Sequence, residues 1–176
     1  LKRLEYRGYD SAGLAVLQDG KIEIRRDAGK LSHLAALLES QPIAGLIGIG
    51  HTRWATHGEP SARNAHPHMG STKKVVVVHN GIVENFLELR EDLQAEGVEF
   101  NSDTDTEVIV HLVERFLSSG VSLEEATRQA LKQLKGAHGV VLFSSLEPDK
   151  IVAARIGNAG GVVIGYGEDE MFIASD

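Results

Sequence analysis

VVVVHNGIVEN, spanning Val75 to Asn85, is the stretch that decides the fold. Four consecutive valines make a short, strongly β-prone run that can be buried on both faces. His79-Asn80-Gly81 follows and breaks the run, and a helix-period pattern opens near Asn85. Asn-Gly at a strand end reads as a tight turn. The same pair could equally present an amide side chain and an unhindered backbone N–H to one point, as an oxyanion hole requires.

Upstream, a second apolar run from Ala44 to Gly50 reads as another buried strand. It feeds HTRWATHGEPS, His51 to Ser61, and then a polar stretch through Asn64-Ala65-His66-Pro67-His68 to Thr72. A guanidinium, hydroxyls, imidazoles and an indole thus collect beside a strand end, where connecting loops usually carry function. Arg53 there can hold a carboxylate through two parallel hydrogen bonds. The alternative is an ordinary polar loop with a surface arginine.

The rest of the pattern is mixed. Leu1 to Tyr6 reads as the tail of a helix. Ala12 to Leu17 and Lys21 to Arg26 flank Asp19-Gly20, a hairpin signal. Leu31, Leu34, Ala35 and Leu38 share a helical face that Gln41-Pro42 ends. Phe86, Leu89 and Leu93 mark a helix closed by Gly97, and Glu107 to Leu117 a second. A third starts at Ser122, with Glu125 in the capping-box position and Gly136 near its end. Four strands then follow: Val140 to Ser144, Ile151 to Ala154, Val162 to Gly165, and Met171 to Ala174. Hairpins at both ends with helices grouped between them predict an α+β sandwich in one domain over residues 1–176.

Composition narrows the chemistry. The chain has 176 residues, 18 Lys plus Arg against 25 Asp plus Glu, and a net charge of −7, which argues against nucleic-acid binding. No apolar stretch approaches the roughly 20 residues of a membrane span, and no signal-peptide pattern opens the chain, so a cytoplasmic location is expected. Cysteine is absent, which removes disulfides, thiolate metal sites and a thiol nucleophile from this sequence.

His51, His57, His66, His68 and His79 invite a metal reading, but none shows the i, i+4 helical pairing of a zincin. They read as hydrogen-bonded structural groups instead. No G-x-G-x-x-G or P-loop spacing follows a strand, Asn158 to Gly161 reads as a turn, and no serine sits in a G-x-S-x-G elbow. No cofactor or metal is expected. Asp103 and Asp105 precede a helix, so one is expected to cap it while the other is free to bind an amine.

Five motifs in order complete the pattern: EYRGYDSAGLAV at Glu5 to Val16, GHTRWATHGEPS at Gly50 to Ser61, NAHPH at Asn64 to His68, VVHNGIVEN at Val77 to Asn85, and SDTDTEV at Ser102 to Val108. Together they resemble the glutaminase domains of class II glutamine amidotransferases, and among these the glutamine–fructose-6-phosphate aminotransferases (glucosamine-6-phosphate synthases). The resemblance covers essentially the whole chain. Trp54 and the YRGYDSAG segment fit the sugar enzymes better than the purine, asparagine or glutamate branches, which share only the H-x-R and N-G cores.

The resemblance implies a four-layer αββα N-terminal-nucleophile sandwich, incomplete in this chain. It implies hydrolysis of L-glutamine, with the ammonia delivered to fructose 6-phosphate by sugar isomerase domains expected downstream and absent from this chain. It implies that Arg53 holds the glutamine α-carboxylate and Asp105 its α-amino group. Thr56, His57 and Gly58 belong to a loop that closes over glutamine, Asn80 and the Gly81 N–H form the oxyanion hole, Trp54 gates ammonia, and Arg7 lies near the nucleophile. That nucleophile is an N-terminal cysteine in the family, so the chain as written is expected to be truncated at both ends and inactive alone. A homo-oligomer is expected of the whole protein. The alternatives are a non-catalytic amino-acid-binding or regulatory module, or the glutaminase domain of another class II enzyme such as amidophosphoribosyltransferase.

Overall fold

The computed structural model describes residues 1–176 as two stacked antiparallel sheets flanked by helices. After a 3₁₀ turn at Lys2–Arg7 come β1 (Ser11–Gln18), β2 (Lys21–Ala28), α1 (Leu31–Ser40) and β3 (Gly48–Arg53), the strands pairing in the order β2-β1-β3. The second sheet contains β4 (His68–Met69), β5 (Val75–Gly81), β6 (His138–Ser144) and β7 (Glu147–Ile156), in that order. Between β5 and β6 run α2 (Phe86–Ala95), α3 (Glu107–Leu117) and α4 (Leu123–Leu131). A separate hairpin, β8 (Val163–Tyr166) and β9 (Met171–Ala174), closes the chain. No helix is long and apolar enough to cross a membrane.

Strand alternation builds the layers, because successive side chains point to opposite faces. Val75 and Val77 join Val140 and Leu142 in a core of 16 buried residues shared with α2, α3 and α4. Val76 and Val78 face the other way and meet Ala15, Ile22 and Ile49 of the first sheet. On that sheet's outer face, Ala12 packs with Leu31 and Leu34 of α1. The result is helix, sheet, sheet, helices: the αββα order that the sequence pattern and the resemblance imply. Each fully buried aliphatic side chain contributes on the order of 1.5–3 kcal/mol, so the helix-side core is the main source of stability.

The hairpin turn falls where expected, with Asp19 and Gly20 at φ 51° and 75°, as a right-twisted two-residue turn demands. Ser122 caps α4 by accepting the Glu125 N–H at 3.3 Å. Several expectations need correction. The opening turn is 3₁₀ rather than α-helical. β3 starts at Gly48 rather than Ala44 and runs on through Arg53, because its backbone pairs with β1 from Val16 back to Ser11. Leu46, inside the expected strand, is exposed. β5 does not break at His79: Asn80 and Gly81 pair with Gly139 and His138, so Asn-Gly is strand and not a tight turn. α4 ends at Leu131, five residues short of Gly136, and β4 carried no visible signal.

Neither aspartate caps α3. Thr106 holds the N-cap position without a side-chain cap bond. Buried Glu107 instead reaches back and accepts the N–H groups of Asn101 and Ser102, each at 2.7 Å. Burial pushes its pKa up, but hydrogen bonds from His111, Ser102 and the two backbone groups outweigh that and hold it at about 2. The aspartates are thereby left free for other work.

Candidate active site

The ends of β3 and β5 open onto a cavity of about 480 Å³ between the two sheets, with β9 along one side. Arg7, Arg53, Trp54, Thr56, Asn80, Gly81 and Asp105 all line it. Seven of the nine residues singled out from sequence therefore converge. His57 and Gly58 do not line it, and act through their backbone.

Arg53 is buried, and its Nη2 donates to the carbonyls of His57 and of Gly58, the latter at 3.1 Å. Its Nη1 is buried without a partner. Leaving such a donor unsatisfied costs on the order of 1–3 kcal/mol, which an anionic ligand group would relieve. Burial lowers the guanidinium's pKa, and the nearby carboxylates of Asp105 and Asp10 work against that. The arginine remains a cation.

Asp105 is held by the Val83 N–H, which donates to Oδ2 at 2.7 Å, while Oδ1 has no hydrogen bond in the chain. Arginine and carboxylate together complement the two charges of an amino acid. Asp103 plays a structural part instead. Its carboxylate receives Arg63 and Asn64, and its N–H donates to Asn64 Oδ1 at 2.9 Å. It ties the NAHPH segment to the start of α3.

The loop after Arg53 is anchored by a residue that the sequence pattern did not single out. Asp10 Oδ2 accepts the Ala55 N–H at 2.8 Å, and its own N–H donates to the Arg53 carbonyl at 3.1 Å. Gly8 lies so close that an added Cβ would sit 2.8 Å from the Arg53 carbonyl carbon. These contacts are why YRGYD and HTRWAT belong to one site. Trp54 is exposed, edge-on to Tyr9 with ring centroids 5.2 Å apart. Arg7 Nη1 donates to Ser175 Oγ at 3.1 Å.

On β5, Asn80 Oδ1 meets His51 Nε2 at 3.0 Å, and Nδ2 makes no hydrogen bond within the chain. Gly81 has φ 134°, and a Cβ there would lie 2.2 Å from the Ala137 carbonyl oxygen, so only glycine fits. The histidines are tied to one another and to hydroxyls: His51 to His66, His66 and His79 to Thr106, His79 to His138, and His68 to Thr104. His57 differs, packing on Phe86 with its Nδ1 buried and unpartnered. Burial lowers His51 to about 4 and His79 and His68 to about 3, so these rings are neutral at pH 7.

His66, Thr106 and His138 were not among the expected site residues. Strand parity was the available signal for the inner wall: Ile49, His51 and Arg53 share one face of β3, and Val76, Val78 and Asn80 share one face of β5. These faces meet.

Residues 51–175 match the family model described as "Glutamine amidotransferase domain". The chain belongs to that family. Among curated proteins it is 56% identical over 177 residues to the glutamine–fructose-6-phosphate aminotransferase [isomerizing] of Pseudomonas putida, covering all of this chain and 28% of that protein. The protein of the same name from Brucella suis is 53% identical over 176 residues, with the same shares covered. Among solved structures, the glutamine phosphoribosylpyrophosphate amidotransferase from B. subtilis superposes with a TM-score of 0.82 at 27% identity, over 99% of this chain and 37% of that one. This chain thus spans just over a quarter of the length of those curated relatives.

Proposed function

We propose that this chain is the glutaminase domain of an isomerising glutamine–fructose-6-phosphate aminotransferase, and that sugar isomerase domains follow it in the whole protein. The observation that carries the reading is the convergence on one cavity of Arg53 with a free Nη1, Asp105 with a free Oδ1, and Asn80 with a free Nδ2. These groups suit the carboxylate, the amine and the amide carbonyl of glutamine. The higher identity to the sugar enzymes than to the phosphoribosyl enzyme supports fructose 6-phosphate as the acceptor.

In this reading the nucleophile is an N-terminal cysteine carried ahead of Leu1, with its own α-amine as base. Its sulfur attacks the amide carbon, and the carbonyl π electrons move to oxygen, facing the Asn80 amide and the Gly81 N–H. Collapse expels protonated nitrogen as ammonia and leaves a thioester, which water hydrolyses to glutamate and free thiol. Thr56, His57 and Gly58 form the loop over the substrate, Trp54 lies on the ammonia route, and Arg7 stands beside the thiol. A cytoplasmic, homo-oligomeric enzyme follows from the resemblance.

The test is to incubate the full-length protein with glutamine and either fructose 6-phosphate or phosphoribosyl pyrophosphate, following products by mass spectrometry. Glutamate with glucosamine 6-phosphate is the expected result. Product from phosphoribosyl pyrophosphate alone would move the chain to the purine branch, and no glutamate under any condition would favour a binding module.

A further inference from the structure

Asn80 is useful as a donor only if its amide presents nitrogen, rather than oxygen, to the cavity. An amide side chain has nearly the same shape either way round, so something must choose. The choice can be traced through the buried imidazoles.

Asn80 Oδ1 can only accept, so His51 must donate from Nε2 at 3.0 Å. Neutral His51 then has a bare Nδ1, and His66 must donate to it from its own Nδ1 at 3.1 Å. That leaves His66 Nε2 as an acceptor, which the Thr106 hydroxyl serves at 2.9 Å. Thr106 Oγ1, its proton spent, accepts from His79 Nδ1 at 3.0 Å. His79 Nε2 accepts in turn from His138 Nδ1 at 3.1 Å. The series stops at His138 Nε2, which is buried with no partner and, in this assignment, carries no proton. With the Asn80 oxygen toward His51, every link pairs one donor with one acceptor.

We propose that this series of four histidines and one threonine fixes the Asn80 amide with its oxygen turned to His51 and its nitrogen turned to the cavity, making His51 and Thr106 positioning residues for the oxyanion donor. The series joins two faces of the same sheet. His79 and His138 lie on the helix-side face with Val77 and Val140, whereas Asn80 lies on the face toward the first sheet with Val76 and Val78. Thr106, at the start of α3, bridges His79 and His66. Gly160 backs the amide from outside, where a Cβ would come within 3.4 Å of Nδ2. Pre-set hydrogen-bond donors stabilise a developing oxyanion because they need no reorganisation when charge appears.

The proposal rests on the glutaminase reading, and the test separates the two. In the full-length protein, glutamine hydrolysis is compared for wild type, Asn80→Ala, His51→Leu, His51→Gln, Thr106→Val and the double variant His51→Leu/Asn80→Ala. His51→Leu should lower kcat about 10- to 100-fold and leave KM within about twofold, a transition-state effect. His51→Gln should recover most of the loss, because its amide N–H can donate from near the imidazole Nε2 position. Thr106→Val, which removes a single hydroxyl, should lower kcat about three- to tenfold. The double variant should be no slower than Asn80→Ala, since residues acting through one group are not additive.

Additive losses in the double variant would overturn the proposal, as would His51→Gln as slow as His51→Leu, or KM rising at constant kcat. Unchanged kcat in Thr106→Val would overturn it too. Should His51→Leu fail to melt cooperatively, Thr106→Val carries the same decision. An Asn80→Ala enzyme with full kcat would instead sink the oxyanion reading itself.

Discussion

At the Arg53 end of the cavity the polar groups are charged and incompletely partnered, whereas at the Asn80 end they are neutral and bonded in series. Arg53 and Asp105 each keep one hydrogen-bonding atom unused, and each is held in place by backbone groups of a neighbouring loop. Such an end suits a ligand that brings its own opposite charges. Around Asn80, burial keeps the imidazoles uncharged and a chain of donors leads to one amide. The imidazoles and the amide of that series carry no charge themselves, which suits charge that appears only during reaction. In the proposed reading, recognition and transition-state stabilisation fall to different groups of the one cavity.

The largest effect should come from the neutral end. Asn80→Ala should lower kcat for glutamine hydrolysis about 10²- to 10³-fold with KM nearly unchanged, measured by steady-state ammonia release. A change in KM alone would erase the distinction between the walls. Thermal melting of the same sample checks that the strand pairing of Asn80 with Gly139 survives.

Arg53→Lys should do the opposite, raising KM about 10- to 100-fold while kcat falls little. Lysine keeps the charge but cannot bond the His57 and Gly58 carbonyls and a carboxylate together as the planar fork can. Wild-type KM in this variant would remove Arg53 from the recognition wall.

Acid should damage the neutral end first. His51 ionises at about 4 and His79 at about 3 in the folded chain, below the ordinary value of 6.5, because burial disfavours the cation. The unfolded chain therefore binds more protons between those limits. Stability from the neutral rings is fully present above pH 6.5 and is lost as pH falls toward 4 and then 3. His51 alone accounts for about 3 kcal/mol, on the order of a 10 °C fall in Tm for a domain this size. Glu107 adds to the loss only below 4.5, toward its folded value of about 2. A Tm that stays level from pH 7 to 4.5 would contradict the buried neutral chain.

Asp10→Ala should give the smallest effect, a three- to tenfold rise in KM from loosening the loop at Ala55, in line with about 1 kcal/mol for one hydrogen bond. A fall in kcat with constant KM would instead connect Asp10 to the catalytic wall.

The two walls also differed in how far sequence revealed them. Arg53, Trp54 and Thr56 stand together in one motif, and Asn80 with Gly81 in another, so both cavity ends were visible as local polar breaks in apolar runs. What joins them was not. Thr106 sits 40 residues from His66, and His138 59 residues from His79, and only tertiary pairing brings them together. Asn-Gly read as a turn because its local propensity favours one, but pairing with β6 extends the strand through both residues. Asp103 and Asp105 read as caps for the same local reason, while Glu107 satisfied the helix start from inside. Layer order, by contrast, followed directly from the valine run, since alternate valines had to face different neighbours.

Calorimetric titration of L-glutamate, the non-reacting product, into full-length wild type, Asn80→Ala and Arg53→Lys decides whether the walls divide the work in this way. The expected Kd for Asn80→Ala lies within about twofold of wild type, and that for Arg53→Lys is at least about tenfold weaker, a difference of about 1.4 kcal/mol. Equal weakening of both variants, or undiminished binding by Arg53→Lys, would refute the division.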